Sequence, residues 1–208
     1  MRNLGFHFDK NLTGNVHIEK VCANCFGVLK LIRKVRKSIC INTCKLLVNN
    51  LVLSKIDYCN SVLAGSPDYL IRRLQKIQNM ACRIIFNLQK YDHISIHMKQ
   101  LHWLKVRERI KFKIALLVFQ CIHGSAPSYL QSLLSQNRGP YNLRSRVSMH
   151  LTIHHCTNTQ ARNGAFHYIG PRVWNSLPSN LRQITNLEAF KRALKAHLFK
   201  QSYPFLDA

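Results

Sequence analysis

The apolar and polar positions of this chain fall into blocks, and most of the blocks have the three-and-four spacing of helices that pack on one side. From Val16 to about Lys37 the set Ile18, Val21, Cys22, Cys25, Leu29 and Ile32 keeps that spacing, while Lys30, Arg33, Lys34 and Lys37 share an adjoining face. A second helical stretch is predicted from about Asn42 to Leu63, and Gly65-Ser66-Pro67 breaks it. The third pattern is the clearest. Leu70, Leu74, Ile77, Ala81, Ile84 and Leu88 form the apolar stripe, and Arg72, Lys76 and Arg83 form a positive side. A fourth helix, from about Lys105 to Ile122, is expected to bury Val106, Ile110, Ile114, Leu117 and Cys121, with Gly124 and Pro127 closing it. Only the start differs: Leu4 to Asp9 alternates like a short strand and runs into the turn-like Lys10-Asn11-Leu12-Thr13-Gly14. A lone strand among helices has no ladder partner, so its partner is expected to be missing or supplied by another chain.

Between about Ser135 and Gly164 the periodicity gives way to polar and basic residues, including Leu143-Arg144-Ser145-Arg146 and His154-His155, which reads as a loop or arm. A helix near Ala165 to Tyr168 follows, then the turn signals Gly170-Pro171 and Leu177-Pro178. Thr185 and Glu188 have the spacing of a capping box for a final helix striped by Leu187, Phe190, Leu194 and Leu198. The predicted fold is mainly α: a bundle-like helical region over 1–134, a polar and basic linker over 135–164, and a helical extension over 165–208.

Charge changes the picture most. Lysine and arginine number 31 against 8 acidic residues, a formal net charge of +23. A small soluble domain typically carries a net charge of about 2 to 8, so this excess calls for an anionic partner. Nucleic acid, an anionic membrane and an acidic protein are the three classes available. The longest apolar run, Ile114 to Phe119, is far short of the roughly 20 residues a spanning helix needs, and no apolar leader follows Met1, so an intracellular location is expected, in nucleus and cytoplasm.

The catalytic readings are weak by comparison. Two-metal chemistry needs converging carboxylates, and the eight acidic residues include no adjacent pair. Cys22-x-x-Cys25, Cys40-x-x-x-Cys44 and His150-x-x-x-His154-His155-Cys156 invite zinc, but the cysteine pairs lie on predicted helices and most of the chain separates them from the histidines. In a chain of this size without a leader, the eight cysteines are expected to be reduced, most of them acting as small hydrophobes. Gly65-Ser66-Pro67 and Gly124-Ser125-Ala126 are turn punctuation without a strand-to-helix elbow around the serine. Trp103 and Trp174 have apolar neighbours and are expected in the core rather than stacked on bases. No catalytic or metal-ligating residue is therefore assigned, and no cofactor. The candidate nucleic-acid contacts are Lys30, Arg33, Lys34, Lys37, Arg72, Lys76, Arg83, Arg144 and Arg146.

Several short segments, taken in order, resemble one family. Asp57-Tyr58-Cys59-Asn60, Leu74-Gln75-x-x-Gln78-Asn79-x-Ala81-x-Arg83, Leu101-His102-Trp103-Leu104-x-Val106 and Gly124-x-Ala126-Pro127-x-Tyr129-Leu130 carry the first part of the likeness. Pro171-x-x-Trp174-Asn175-x-Leu177-Pro178, Phe190-Lys191 and Leu198-Phe199 continue it. Together they resemble the C-terminal part of the reverse transcriptase protein of jockey-like and chicken-repeat-like LINE non-LTR retrotransposons. The resemblance implies that Leu4-Gly5-x-x-x-Asp9 corresponds to the end of the palm, and that a helical thumb and a post-thumb extension follow. It also implies that this chain grips RNA, DNA or an RNA–DNA hybrid without catalysing synthesis. The aromatic-Ala-Asp-Asp box and the magnesium of the parent RNA-directed DNA polymerase would belong to the palm. Two other expectations stand beside it: a non-catalytic part of a split reverse transcriptase completed by a separately encoded palm, and a decayed or misannotated remnant without independent function.

Overall fold

The computed structural model describes residues 1–135, 149–153 and 164–204. It begins with a hairpin in which β1 (Arg2–Asn3) pairs antiparallel with β2 (Phe6–His7), Arg2 opposite His7 and Asn3 opposite Phe6. The turn residues Leu4 and Gly5 both have positive φ, 44° and 84°, the signature of a type I′ turn. This corrects the expectation of an unpartnered strand over Leu4 to Asp9. Alternation alone carried the strand through Leu4-Gly5, where the chain reverses and finds its partner three residues upstream. The Tyr58 hydroxyl donates to the Leu4 carbonyl and ties the hairpin to the helices.

Asp9 prepares the first helix. Its carboxylate accepts from the Thr13 and Asn15 amides at 2.8 and 3.0 Å, satisfying donors that no helical carbonyl can reach. Gly14, at φ 76°, supplies the left-handed step into α1 (Asn15–Val35), and a Cβ there would lie 2.8 Å from Leu63. α1 buries Ile18, Cys25, Leu29 and Ile32 as the periodicity predicts, and also His17, whose ring stacks on Phe6 at 4.0 Å between centroids.

The stretch predicted as one helix from Asn42 to Leu63 is instead α2 (Ile41–Val48), a π turn at Asn49–Leu53 and α3 (Ser54–Asp57), then a separate 3-10 segment at Asn60–Gly65. The buried ladder Cys44, Val48, Val52, Ile56 explains the π turn. Steps of four residues drift by about 40° each on an α-helix, and one wider turn takes up part of that drift, keeping the ladder on the core. The helix stops after Asp57 because Tyr58 turns extended toward the hairpin and Cys59 takes a left-handed conformation at φ 51°.

α4 (Asp68–Phe86) runs alongside α1, with Arg73 bonding Asn15 and Glu19 near their starts and Arg36 reaching Ile84 and Ile85 near their ends. α4 ends at a left-handed Asn87, with the Leu88 amide bonded back to the Arg83 carbonyl, so Leu88 lies just past the helix it was expected to stripe. A short α5 (Ser95–Gln100), for which the sequence carried no periodic signal, leads through Trp103 into α6 (Val106–Ile122). Side-chain amides sew α4 to this junction. Gln75 accepts from the Val106 amide at 2.9 Å at the start of α6, and Gln78, fully buried, donates to the Leu104 carbonyl at 2.9 Å. Arg109 donates to the same Leu104 carbonyl at 2.9 Å and pairs with Asp57 at 2.5 Å.

α6 buries Ile110, Ile114, Ala115, Val118 and Phe119, more of its circumference than one stripe, and Leu117 is only half-buried. After α7 (Ser128–Gln131) the last three helices are α8 (Phe166–Asn175), α9 (Ser179–Arg182) and α10 (Leu187–Ser202). α8 runs through Gly170-Pro171 rather than turning there. Burial of Tyr168 and Trp174 outweighs the one helical bond that Pro171 cannot make, and Gly170 lets α8 approach Val118 of α6 so closely that a Cβ would sit 3.1 Å from it. The cap of α10 is Asn186, whose side chain accepts from the Ala189 amide, not Thr185; Glu188 faces Lys191 at 2.7 Å instead. Phe119 stacks on Phe190 at 4.4 Å, and the Tyr203 hydroxyl donates to the Trp103 carbonyl at 2.8 Å, so one apolar core runs from Phe6 to Tyr203. Trp103 and Trp174 are both in that core. The architecture is mainly α, and no helix among the described residues is long and apolar enough to cross a membrane.

Candidate functional site

Parallel packing of α1 on α4 places the C-terminal halves of both helices side by side. Between them lies an open cleft of about 940 Å³. Its floor is apolar, made by Leu29 and Ile84 with Phe26, Met80 and Leu88. Its walls bring together five of the sequence-predicted residues, Lys30, Arg33 and Lys37 from α1 and the turn after it, and Lys76 and Arg83 from α4. Lys34 and Arg72 are exposed on the same two helices but do not line the cleft. Arg144 and Arg146 lie outside the described residues. Arg36 and Lys90 complete the basic wall and were missed by sequence reasoning. Nothing local marks them: Arg36 sits just past the end of α1, and its partners are 48 and 49 residues away.

The seven cations are not equivalent. Arg36 is occupied, donating to the carbonyls of Ile84 at 3.0 Å, Ile85 at 2.7 Å and Ile39 at 3.1 Å. It caps the C-terminus of α4 with a full positive charge where orphan carbonyls and the helix dipole are both negative. Arg83 is occupied in part, bonding the Gln89 carbonyl at 3.2 Å and so shaping the loop after α4. Lys90 lies 5.3 Å from the Tyr91 ring centroid. Lys30, Arg33, Lys37 and Lys76 make no ion pair with any carboxylate among the described residues.

A structural explanation for this charge is partly available, and its size can be compared with what is present. Parallel helices bring two negative dipole ends together, equivalent to about half an elementary charge each, so roughly one positive charge is enough to neutralise them. The cleft carries seven, and no carboxylate is among its described lining residues. The surplus is a field that concentrates anions.

Away from the cleft, burial and local hydrogen bonds set the behaviour of several charged and nucleophilic groups. Burial pushes the Asp57 carboxyl up, and the Arg109 guanidinium beside it opposes the shift without cancelling it. Burial likewise drives the Cys25 and Cys82 thiols up to about 11, holding them as inert core sulfhydryls. Cys40 is exposed rather than in the core; its sulfur accepts from the Thr43 amide at the start of α2, and the Thr43 hydroxyl and amide hold its thiol below the usual range. Among the described residues no group of three or more His, Cys, Asp or Glu side chains is placed to hold a metal ion. The segments that carried the family resemblance mostly serve the interior. Gln75, Gln78 and Leu104 form the seam between α4 and α6, Asp57 joins α3 to α6 through Arg109, Trp174 donates to the Met149 carbonyl at 2.8 Å, and Asn175 bonds both backbone groups of Leu151. In comparisons with known proteins, no protein-family model, no curated protein and no solved structure matches this chain.

Proposed function

We propose that this chain is a non-catalytic nucleic-acid-binding module that holds RNA, DNA or an RNA–DNA hybrid by its phosphates in the cleft between α1 and α4. We further propose that it corresponds to the thumb and post-thumb region of a LINE-type RNA-directed DNA polymerase, whose palm would carry the chemistry. The observation that carries the first reading is the convergence of Lys30, Arg33, Lys37 and Lys76 without a carboxylate partner among the described residues. The origin rests on the ordered resemblance of Asp57-Tyr58-Cys59-Asn60, the Gln75 to Arg83 segment and the later segments alone. Phosphate contacts fix position without reading bases, so little sequence preference is expected.

The test is binding of the purified chain to a hybrid duplex and to single strands across a salt series. Affinity should fall steeply with salt, at a slope corresponding to about four or more neutralised phosphates. Reversing Lys30, Arg33, Lys37 and Lys76 to glutamate should cost at least about a hundred-fold at low salt while the thermal transition is preserved. Weak, salt-insensitive binding by the folded wild-type chain would overturn the reading.

A further inference from the structure

The cleft is not lined as a site for phosphates alone would be. Phosphates need cations and amides, yet the floor here is Phe26, Leu29, Met80, Ile84 and Leu88, and it lies below the basic wall. Phe26 is 53% exposed at the edge of this floor, an orientation that leaves much of a large aromatic ring in water. Two exposed side-chain amides, Asn87 and Gln89, stand on the rim and make no side-chain hydrogen bond among the described residues. An apolar floor with an open aromatic ring, polar amides at its edge and cations above it combines the three elements of a nucleotide site: a stacking surface, groups for a base edge, and phosphate partners.

On the reading that the cleft binds nucleic acid, we infer that it accepts an unpaired nucleotide, its base against Phe26 and its flanking phosphates on Lys30, Arg33, Lys37 and Lys76. A base inside a duplex cannot present its face to the floor, because it is stacked on both sides. The preferred substrate class is therefore a strand with unpaired bases, whether single or overhanging from a duplex, over a blunt duplex of equal length. An acidic amphipathic helix would also meet cations above an apolar floor, but it has no use for the amides at the rim.

The experiment compares a blunt RNA–DNA hybrid with the same hybrid carrying an unpaired overhang that contains 2-aminopurine, using the full chain. The overhang should bind about ten-fold tighter, in line with one base stacked on an aromatic ring, and the 2-aminopurine emission should change on binding. Phe26→Ala should erase that advantage and leave the salt slope intact, and Phe26→Trp should restore it. Because Phe26 is half in solvent, the melting temperature of these variants checks that folding is retained. Equal affinity for blunt and overhanging hybrid with a steep salt dependence overturns this inference and leaves the phosphate reading standing. Loss of salt-dependent binding to every nucleic acid overturns both. An acidic peptide that quenches a Phe26→Trp probe while nucleic acid stays bound would reassign the floor to a protein partner and overturn this inference.

Discussion

α4 meets the rest of the molecule along two sides that treat polar groups in opposite ways. Toward α6 it forms a seam in which polar groups have nearby partners: Gln75 with the Val106 amide, and Gln78 and Arg109 with the Leu104 carbonyl. Toward the C-terminal half of α1, beyond the Arg73–Glu19 pair, it forms a cleft in which Lys76 stands with Lys30, Arg33 and Lys37 and no carboxylate answers them among the described residues. The total charge of the chain says nothing about this division. What separates a structural cation from one available to a ligand is whether a carbonyl or carboxylate already holds it, and Arg36, sitting in the cleft yet bonded to three carbonyls, belongs with the seam.

That distinction can be broken by substitution. Gln78→Ala should have the largest effect on stability, about 3 kcal/mol, since it opens a cavity and leaves the Leu104 carbonyl with one donor fewer in the core. Nucleic-acid affinity at a temperature where the variant is folded should not move. Arg36→Ala should cost about 2 kcal/mol in a denaturant titration, through the uncapped end of α4, and should change the salt slope of binding less than Lys37→Ala does. If Arg36→Ala instead flattened the salt slope with stability intact, the division between held and available cations would fail at its boundary. The smallest effect expected is a pH dependence at the other end of α1. His17 is buried, its Nδ1 has no hydrogen-bond partner among the described residues, and burial first, then the nearby His7, hold its pKa below the usual 6.5. The unfolded chain therefore binds the proton more readily, so this contribution is complete above about pH 6.5 and is lost as pH falls toward the folded value. Melts between pH 7.5 and 5 should show a decline that His17→Phe reduces.

The sequence made the long elements legible wherever one face alone decided them. The stripes of α1, α4 and α10 and the buried positions Ile110 and Ile114 of α6 follow from spacing. It was silent or misleading where a few backbone angles or a distant contact decided. Leu4 at φ 44° and Cys59 at φ 51° are turns made without a glycine at that position, so neither the hairpin nor the end of α3 carried the usual signal. Gly170-Pro171 has turn chemistry, yet burial against α6 keeps it helical. Thr185 and Glu188 have the spacing of a capping box, but the neighbouring Asn186 side chain takes the cap. For the site, the positive faces of both helices were readable one at a time. Their convergence depends on pairing residues more than forty apart, such as Lys30 with Lys76, and periodicity contains no information about that.

The π turn at Asn49–Leu53 has a further meaning in terms of angular phase. It works as a single residue spliced into an α-helix, and each residue rotates everything beyond it by about 100°. Rewinding the turn to regular α-helix with every residue kept would swing Ser54–Asp57 round by about that angle, carrying Asp57 off Arg109 and Ile56 out of the core. The stretch from Ile41 to Asp57 is thus one rod whose two helices are kept in phase by the turn between them.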